Sequence, residues 1–451
     1  MFSPSTYQAR RKRLRDSLPN RGQILLLGNQ ESPRNFAHNA YPFRQDSSFL
    51  YFFGLDEPGL AAILDTESGC EILFGDDPGP DDLVWTGPQP PFAETAARSG
   101  IADTLPSQAL AESIGGGREL HTLPCYRPEH SLRLPPGSRP SPDLVRAIVS
   151  QRAYKSAEEI AEIEIALRVS HAVHTAAMRL TAPGRKEFEI VAELEGLAHR
   201  LGASNSFATI FSKRGEILHN PFHHHLLEDG DIVVHDSGAE SPLHYASDIT
   251  RTIPASGKFD SRQRDVYSIV LDSQQAAIDA LAPGTPFRDL HATAARVILA
   301  GLAELGIITG NIDEALAADA HTLFFPCGLG HMMGLDVHDM EALGEDFVGY
   351  DEKVQRNPVF GWRSLRLGRA LEPDWVVTVE PGIYFNGLLA DRWRDEGRCS
   401  DFIDFAAFDR FRDFGGVRLE DDFLITGDGY RLLGDPIPRS IEEVEMACSA
   451  G

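Results

Sequence analysis

The chain has 451 residues, 42% of them hydrophobic, which is enough to bury a large core and to form two or three domains. Its formal charge of −25 argues against a nucleic-acid partner, because phosphate binding needs a concentration of Lys and Arg that the chain lacks. No apolar run approaches the span of a bilayer, residues 1–21 are polar and basic without a hydrophobic signal segment, and five scattered cysteines form no CxxC pair; a soluble protein of a reducing, cytoplasmic compartment is expected.

In chain order, GQILLLG (22–28) is strand-like, and LAAILD and CEILFG flank the turn TESG as a hairpin. Pro- and Gly-rich stretches follow at 78–91 and 135–142, and then Ser156 and Glu159 form a capping box at the head of a long helical pattern. The boundary this implies, near residue 150, separates a small α/β domain from a larger α+β one. Further helices are predicted at 186–201, 261–281 and 286–306, the last opening with Pro286. Strand pairs fall between them and predict a curved antiparallel sheet.

The acidic and histidine residues of those strand segments carry the chemistry. GDIVVHDSG (230–238), HYASDITRT (244–252), CGLGHMMGLDVHD (327–339), VVTVEPGIYF (376–385) and FGGVRLEDD (414–422) contain Asp236, Asp248, His331, Glu380 and Glu420. β-Branched residues run up to Asp236 and Glu380, and a glycine follows two positions later in both cases, so each carboxylate is expected where a buried strand ends. Aligning Asp236 with Glu380 also aligns Val233 with Val377 and Gly238 with Gly382, the pattern of a duplicated unit that gives one acidic pair per copy. Four gathered carboxylates repel one another unless cations sit among them. Two divalent ions would bring the charge near zero, and a neutral His331 adds a nitrogen ligand. The oxygen-rich set favours manganese, although donor type alone leaves cobalt, zinc or iron open. Paired metals activate a water and polarise a carbonyl, so hydrolysis is the natural reaction class. Against this, any one Asp after a strand is usually a turn residue, and a lone His beside glycines is usually structural. The weight lies in the set of five. The run His223 to His225 is read as a solvated loop, since successive side chains of an extended segment point to opposite faces and chelate poorly.

The ordered ligands, together with SDITRT, GLGH, LDVHD, TVEPGIYF and GGVRLED, and with RQDSSFLYFFGLDEPG (44–59) near the start, resemble the pita-bread metallopeptidases, in particular the proline-specific branch that contains aminopeptidase P and prolidase. The resemblance covers nearly the whole chain. It implies a non-catalytic, creatinase-like α/β domain at 1–150 and a pita-bread catalytic domain at 151–451. It also implies two divalent ions, most often Mn²⁺ with Co²⁺ or Zn²⁺ as alternatives, and a homodimer. The reaction implied is hydrolysis of the Xaa-Pro bond by a hydroxide between the metals, with Glu380 shuttling a proton to the departing nitrogen. His219 and His338 match substrate-side histidines, and Arg418 stands two residues before the last ligand as an orienting group. Cys327 departs from the pattern: a histidine usually stands there, and a thiol hydrogen-bonds only weakly. An inert buried thiol is expected.

The resemblance also bears on substrate length. Arg366, in GWRSLRLGRALEP (361–373), matches an arginine that binds the C-terminal carboxylate of a dipeptide in prolidases, and about 40 residues separate Glu380 from Glu420, as in the prolidase insertion. Residues alone would leave Arg363, Arg366 and Arg369 as a solvated basic face. A dipeptidase is therefore expected, with an aminopeptidase P acting on longer peptides as the alternative. A non-catalytic binding protein and a metal-free creatinase-like hydrolase are the further readings, and both lack the complete ligand set.

Overall fold

The computed structural model describes residues 1–18, 22–115 and 118–449; residues 19–21 of the basic amino-terminal stretch lie outside the described residues. Two compact units form, one of Met1–Ala153 with Met340–Val348, the other of Tyr154–Asp339 with Gly349–Gly451.

The first unit is organised on five strands, β1 (Gly22–Leu27), β2 (Ala61–Asp65), β3 (Glu71–Phe74), β4 (Asp103–Leu105) and β5 (Glu119–His121), in the order β4-β3-β2-β1-β5. The hairpin read from the sequence forms, with Ala61 opposite Phe74, while β4 and β5 add in parallel at the two edges. Leu25, Ile63 and Phe74 make one apolar face. The helix Pro4–Ser17 turns Arg11 inward, where its Nη1 donates to the carbonyls of Phe52 at 2.9 Å and Ser99 at 3.0 Å and its Nε donates to Glu71 at 2.7 Å. Burial, with Arg15 adding to it, lowers the Arg11 pKa to about 9. These partners make the buried charge tolerable.

The second unit carries the long helix Ala157–Leu180, whose N-terminus closes the reciprocal Ser156–Glu159 capping box. Helices Glu187–Arg200, Ser261–Asp279 and Phe287–Glu304 follow the predicted spans; Pro286 occupies the N-cap of the last rather than its first turn. The last two lie side by side at Gly301, where a Cβ would come within 2.4 Å of Ile269 Cγ1, so only glycine permits the approach.

Its strands are β6 (Ser204–Asn205), β7 (Ile210–Ser212), β8 (Ile232–Ser237), β9 (Ala239–Glu240), β10 (Ile249–Pro254), β11 (Val376–Val379), β12 (Gly382–Tyr384), β13 (Gly416–Arg418), β14 (Asp421–Ile425) and β15 (Tyr430–Leu432). All pairings among them are antiparallel: β10-β8-β7, β11-β14-β15, β12-β13 and β6-β9. Isolated bridges, Thr250 with Glu420 and Met332 with Val377, join neighbouring pieces. Arg251, fully buried on β10, fastens the strands by donating to Asp421 Oδ1 at 2.6 Å and to the Glu420 carbonyl at 2.7 Å.

The two halves of the acidic motif have the same local architecture. In one, Asp236 lies at the end of β8 and Asp248 just ahead of β10, with Asp236 opposite Thr250; in the other, Glu380 follows β11 and Glu420 precedes β14, with Val379 opposite Asp421. The aligned glycines serve close approaches: a Cβ on Gly238 would lie 1.8 Å from the Ser247 carbonyl oxygen, and one on Gly382 would lie 2.5 Å from Tyr384 Oη.

Candidate metal centre

The strand ends bring the acidic pairs together, and a loop supplies the histidine. Gly330 sits against β11, where a Cβ would fall 2.1 Å from the Thr378 carbonyl oxygen, and backbone bonds Thr378 N to His331 O (3.0 Å) and Glu380 N to Leu329 O (2.7 Å) fix residues 329–331 along the strand. His331 Nδ1 lies 3.0 Å from the Met332 carbonyl. That contact assigns the proton to Nδ1 and turns the Nε2 lone pair toward Asp248 Oδ2 at 3.4 Å and Glu380 Oε1 at 3.5 Å. Ligand atoms of Asp248, His331 and Glu420 all lie within 4.8 Å of one another.

Charge is poorly balanced here. Arg418 donates through Nη2 to Asp236 Oδ2, through Nη1 to Tyr384 Oη at 2.9 Å and through Nε to Thr250 Oγ1 at 3.1 Å; Thr250 in turn donates to Glu420 Oε2 at 2.8 Å. One guanidinium thus faces four carboxylates. Burial, reinforced by Asp236, pushes the Asp248 carboxyl well above the usual range, and burial with Asp248 does the same to Glu420. Burial also lifts Glu380 to about 7, with His331 opposing and Asp248 adding. Asp236 Oδ1, Asp248 Oδ1 and Glu420 Oε1 are buried without a hydrogen-bond partner. Ionised carboxylate oxygens only accept, so what these orphans lack is a cation or a donor, and the mixed oxygen and imidazole set fits divalent metal ions.

The ten candidate site residues line one cavity of about 340 Å³: Asp236, Asp248, His331, Glu380 and Glu420 with His219, His338, Arg366, Arg418 and Cys327. His338 meets His331 edge to face at 4.4 Å between ring centres. Burial, then Arg418, lowers the His219 pKa, which keeps that ring neutral. Cys327 Sγ lies 3.8 Å from Tyr384 Oη, and burial followed by Glu380 pushes its thiol up to about 12, so it is a poor nucleophile. Phe207, Ile210, Leu218, Pro221 and Val337 give the cavity an apolar wall.

One expectation needs correction. The segment His223–His225 is only partly solvated: His223 Nε2 is 3.0 Å from the Thr209 carbonyl and His225 Nδ1 is 2.9 Å from buried Glu187, while His224 between them is exposed. Alternation turns two rings inward to protein partners. The alternative of three arginines on one solvated face does not form, because Arg366 lines the cavity and Arg369 lies 4.5 Å over the Trp375 ring. Sequence reasoning missed Thr250, Tyr384 and Asp422, the last accepting from the Asp248 backbone N–H at 3.2 Å. The available signal was the two-residue strand period, since Thr250 and Asp422 each stand two residues past a ligand and Tyr384 four past Glu380.

Comparison with known proteins agrees with this geometry. Residues 161–427 match the description Metallopeptidase family M24, and residues 7–118 match Aminopeptidase P, N-terminal domain. The chain is 32% identical to the human Xaa-Pro dipeptidase over 95% of this chain and 88% of that one. Among solved structures it is similar to Pseudomonas aeruginosa aminopeptidase PepP (29% identity, TM-score 0.84, covering 100% and 98% of the two chains). Zinc-substituted Escherichia coli aminopeptidase P in complex with product is also similar (29% identity, TM-score 0.82, covering 100% and 99%). With the peptidase match spanning more than half of its length, and with carboxylates and a histidine assembled around one buried acidic cavity, the chain belongs to metallopeptidase family M24.

Proposed function

We propose that the protein is an Xaa-Pro dipeptidase. The observation that carries this reading is the presence of Arg366 in the wall of the cavity that holds the four carboxylates and His331. A guanidinium fork suits a terminal carboxylate and selects short substrates by the distance from the reacting centre to the chain end. The peptide bond to proline is a tertiary amide without an N–H, so a site for it must work without the backbone grip on which other proteases depend.

In this reading Asp236, Asp248, His331, Glu380 and Glu420 hold two divalent ions, which when bound supply Lewis acidity and a nucleophilic water. Manganese is the proposed resident ion. Glu380, at the cavity wall, moves the proton to the departing proline nitrogen, which leaves poorly as an anion. Neutral His219, together with His338, steadies the scissile carbonyl, and Arg418 holds Asp236 in orientation. Residues 151–451 act as the catalytic domain and residues 1–150 as a non-catalytic one. The proposal extends to a homodimer in the cytoplasm; among the described residues no helix is long and apolar enough to cross a membrane.

The likeness to aminopeptidase P structures supports a second reading, removal of an N-terminal residue from longer Xaa-Pro peptides. Turnover of Gly-Pro against Gly-Pro-Gly, with Mn²⁺ and after chelation, separates them. Preference for the dipeptide is expected; preference for the tripeptide would hand the site to the second reading. Arg366→Ala should raise KM for Gly-Pro at least ~10-fold, the effect of losing one charge-assisted pair, and leave Gly-Pro-Gly nearly unchanged.

A further inference from the structure

Two residues along the chain from cavity-lining Cys327 and Ser364, Phe325 and Trp362 join His291 and His321 in an aromatic cluster. His291 and His321 are fully buried, and none of their four ring nitrogens has a hydrogen-bond partner. A neutral imidazole always carries one N–H, so two donors are stranded here unless an aromatic face receives them. Both rings meet the Trp362 indole edge to face, His291 at 4.8 Å and His321 at 5.4 Å between centres, and His291 also stacks on Phe325 at 4.8 Å. The indole passes polarity onward, because its Nε1–H donates to Asp319 Oδ1 at 2.6 Å. Asp319 adopts a left-handed backbone, φ 60°, at the head of the turn Ala320–Leu323 that contains His321.

Trp362 opens the single 3₁₀ turn Trp362–Ser364. Its carbonyl accepts from Leu365 N at 3.0 Å, which ties the turn to the residues after it, and Ser364 and Arg366 of that segment line the cavity. The far side of the turn is fixed by Tyr350, whose Oη donates to the Leu365 carbonyl at 2.5 Å, and by Gly349, where a Cβ would lie 1.8 Å from the Arg366 carbonyl oxygen. Gly328, another cavity residue, lies underneath, with a would-be Cβ 2.9 Å from the Leu365 Cα. On the near side the backbone runs through Gly361 at φ 89° against Thr322, where a Cβ would lie 2.4 Å from Cγ2. The indole, held by Asp319, is thus a side-chain anchor at the start of the turn, opposite the Tyr350 anchor at its end.

We infer that Trp362, pinned by Asp319 and the two buried imidazoles, is a specificity-determining positioning residue that sets the height of Arg366 in the cavity and so the length of substrate accepted. This rests on the carboxylate-clamp reading of Arg366. Trp362→Phe keeps a ring against the histidines and removes only the N–H donor; Asp319→Ala removes the acceptor, and Asp319→Asn retains one. Kinetics on Gly-Pro and Gly-Pro-Gly with the full-length, Mn²⁺-loaded protein test the idea, with melting temperature measured alongside.

Trp362→Phe and Asp319→Ala are each expected to raise KM for Gly-Pro about 5- to 20-fold with kcat within about twofold, and to leave KM for Gly-Pro-Gly unchanged. The double variant should be no worse than either single one, and Asp319→Asn should restore the parent KM. An unchanged KM for Gly-Pro in Trp362→Phe, or an equal loss on both substrates, overturns the pin. If Asp319→Ala does not fold, Trp362→Phe alone decides the matter. Arg366→Ala run beside it keeps the two ideas apart. Discrimination by that variant with a silent Trp362→Phe overturns the pin and spares the clamp, whereas no discrimination by Arg366→Ala removes the clamp and the pin with it.

Discussion

The two units bury charge in opposite ways. In the first, Arg11 is met by two carbonyls and by Glu71, which Arg15 also contacts, so the buried charge has its counter-ion within the fold although Nη2 is left without a partner. In the second, four carboxylates share Arg418, three of their oxygens have no partner, and Asp248, Glu380 and Glu420 are all driven toward protonation. A buried charge that has its counter-ion within the fold calls for no ligand. Unmatched burial costs stability and persists where an ion completes the site. The same contrast separates neighbouring residues of one segment: Asp421 is paired with Arg251 and receives Gln274 Nε2 at 3.1 Å, whereas the Glu420 side chain leaves an oxygen orphaned.

The largest expected effect comes from neutralising the unmatched region. Glu380→Gln should cut turnover at least ~10³-fold, and Asp248→Asn should also lower bound metal per chain, read by elemental analysis. The chelated Asp248→Asn protein should melt no lower than the chelated parent at pH 7.5, since it removes repulsion. A clearly lower melting temperature would mean that the acidic cluster is matched after all.

The pH dependence of the chelated protein sharpens the point. Glu380, held at about 7 in the fold against its ordinary 4.5, keeps a proton that the unfolded chain has released. Its contribution is present below pH 4.5 and is lost as pH climbs to about 7, on the order of a few kcal/mol. Denaturant unfolding of chelated protein should show stability falling across that window, and metal should flatten the slope. A slope of the opposite sign would refute the assignment.

A smaller effect is expected in the matched region. Glu71→Gln should destabilise the first unit by about 1–3 kcal/mol, because it leaves buried Arg11 without its anion, while kcat per folded molecule stays unchanged. Smallest of all, Cys327→Ser should alter kcat/KM by less than ~3-fold, and the native thiol should react slowly with an alkylating reagent at pH 7.5. Rapid labelling would contradict a thiol pushed up to about 12.

Much of this was legible in the residues themselves. The helices at 187–200 and 261–279, the β2–β3 hairpin and the Ser156–Glu159 cap follow from periodicity and local bonds, which depend on neighbours in sequence. Asp236 and Glu380 were visible as candidate ligands because each stands at a strand end two residues before a glycine that sits in a close approach. The chain order of Asp236, Asp248, His331, Glu380 and Glu420 pointed to metal chemistry together with the family resemblance of the motifs around them.

Tertiary structure alone decided how the charge is shared. That Arg418 reaches Asp236, 182 residues away, that Thr250 bridges it to Glu420, and that Trp362 is held by Asp319 across 43 residues are consequences of packing between segments that no local period relates. The same holds for His223 and His225, whose partners are Thr209 and Glu187 rather than solvent. Local sequence sets the direction in which a side chain points along its own element, but whether a buried group finds a counter-charge depends on what the fold places opposite it, and that is a property of the assembled chain.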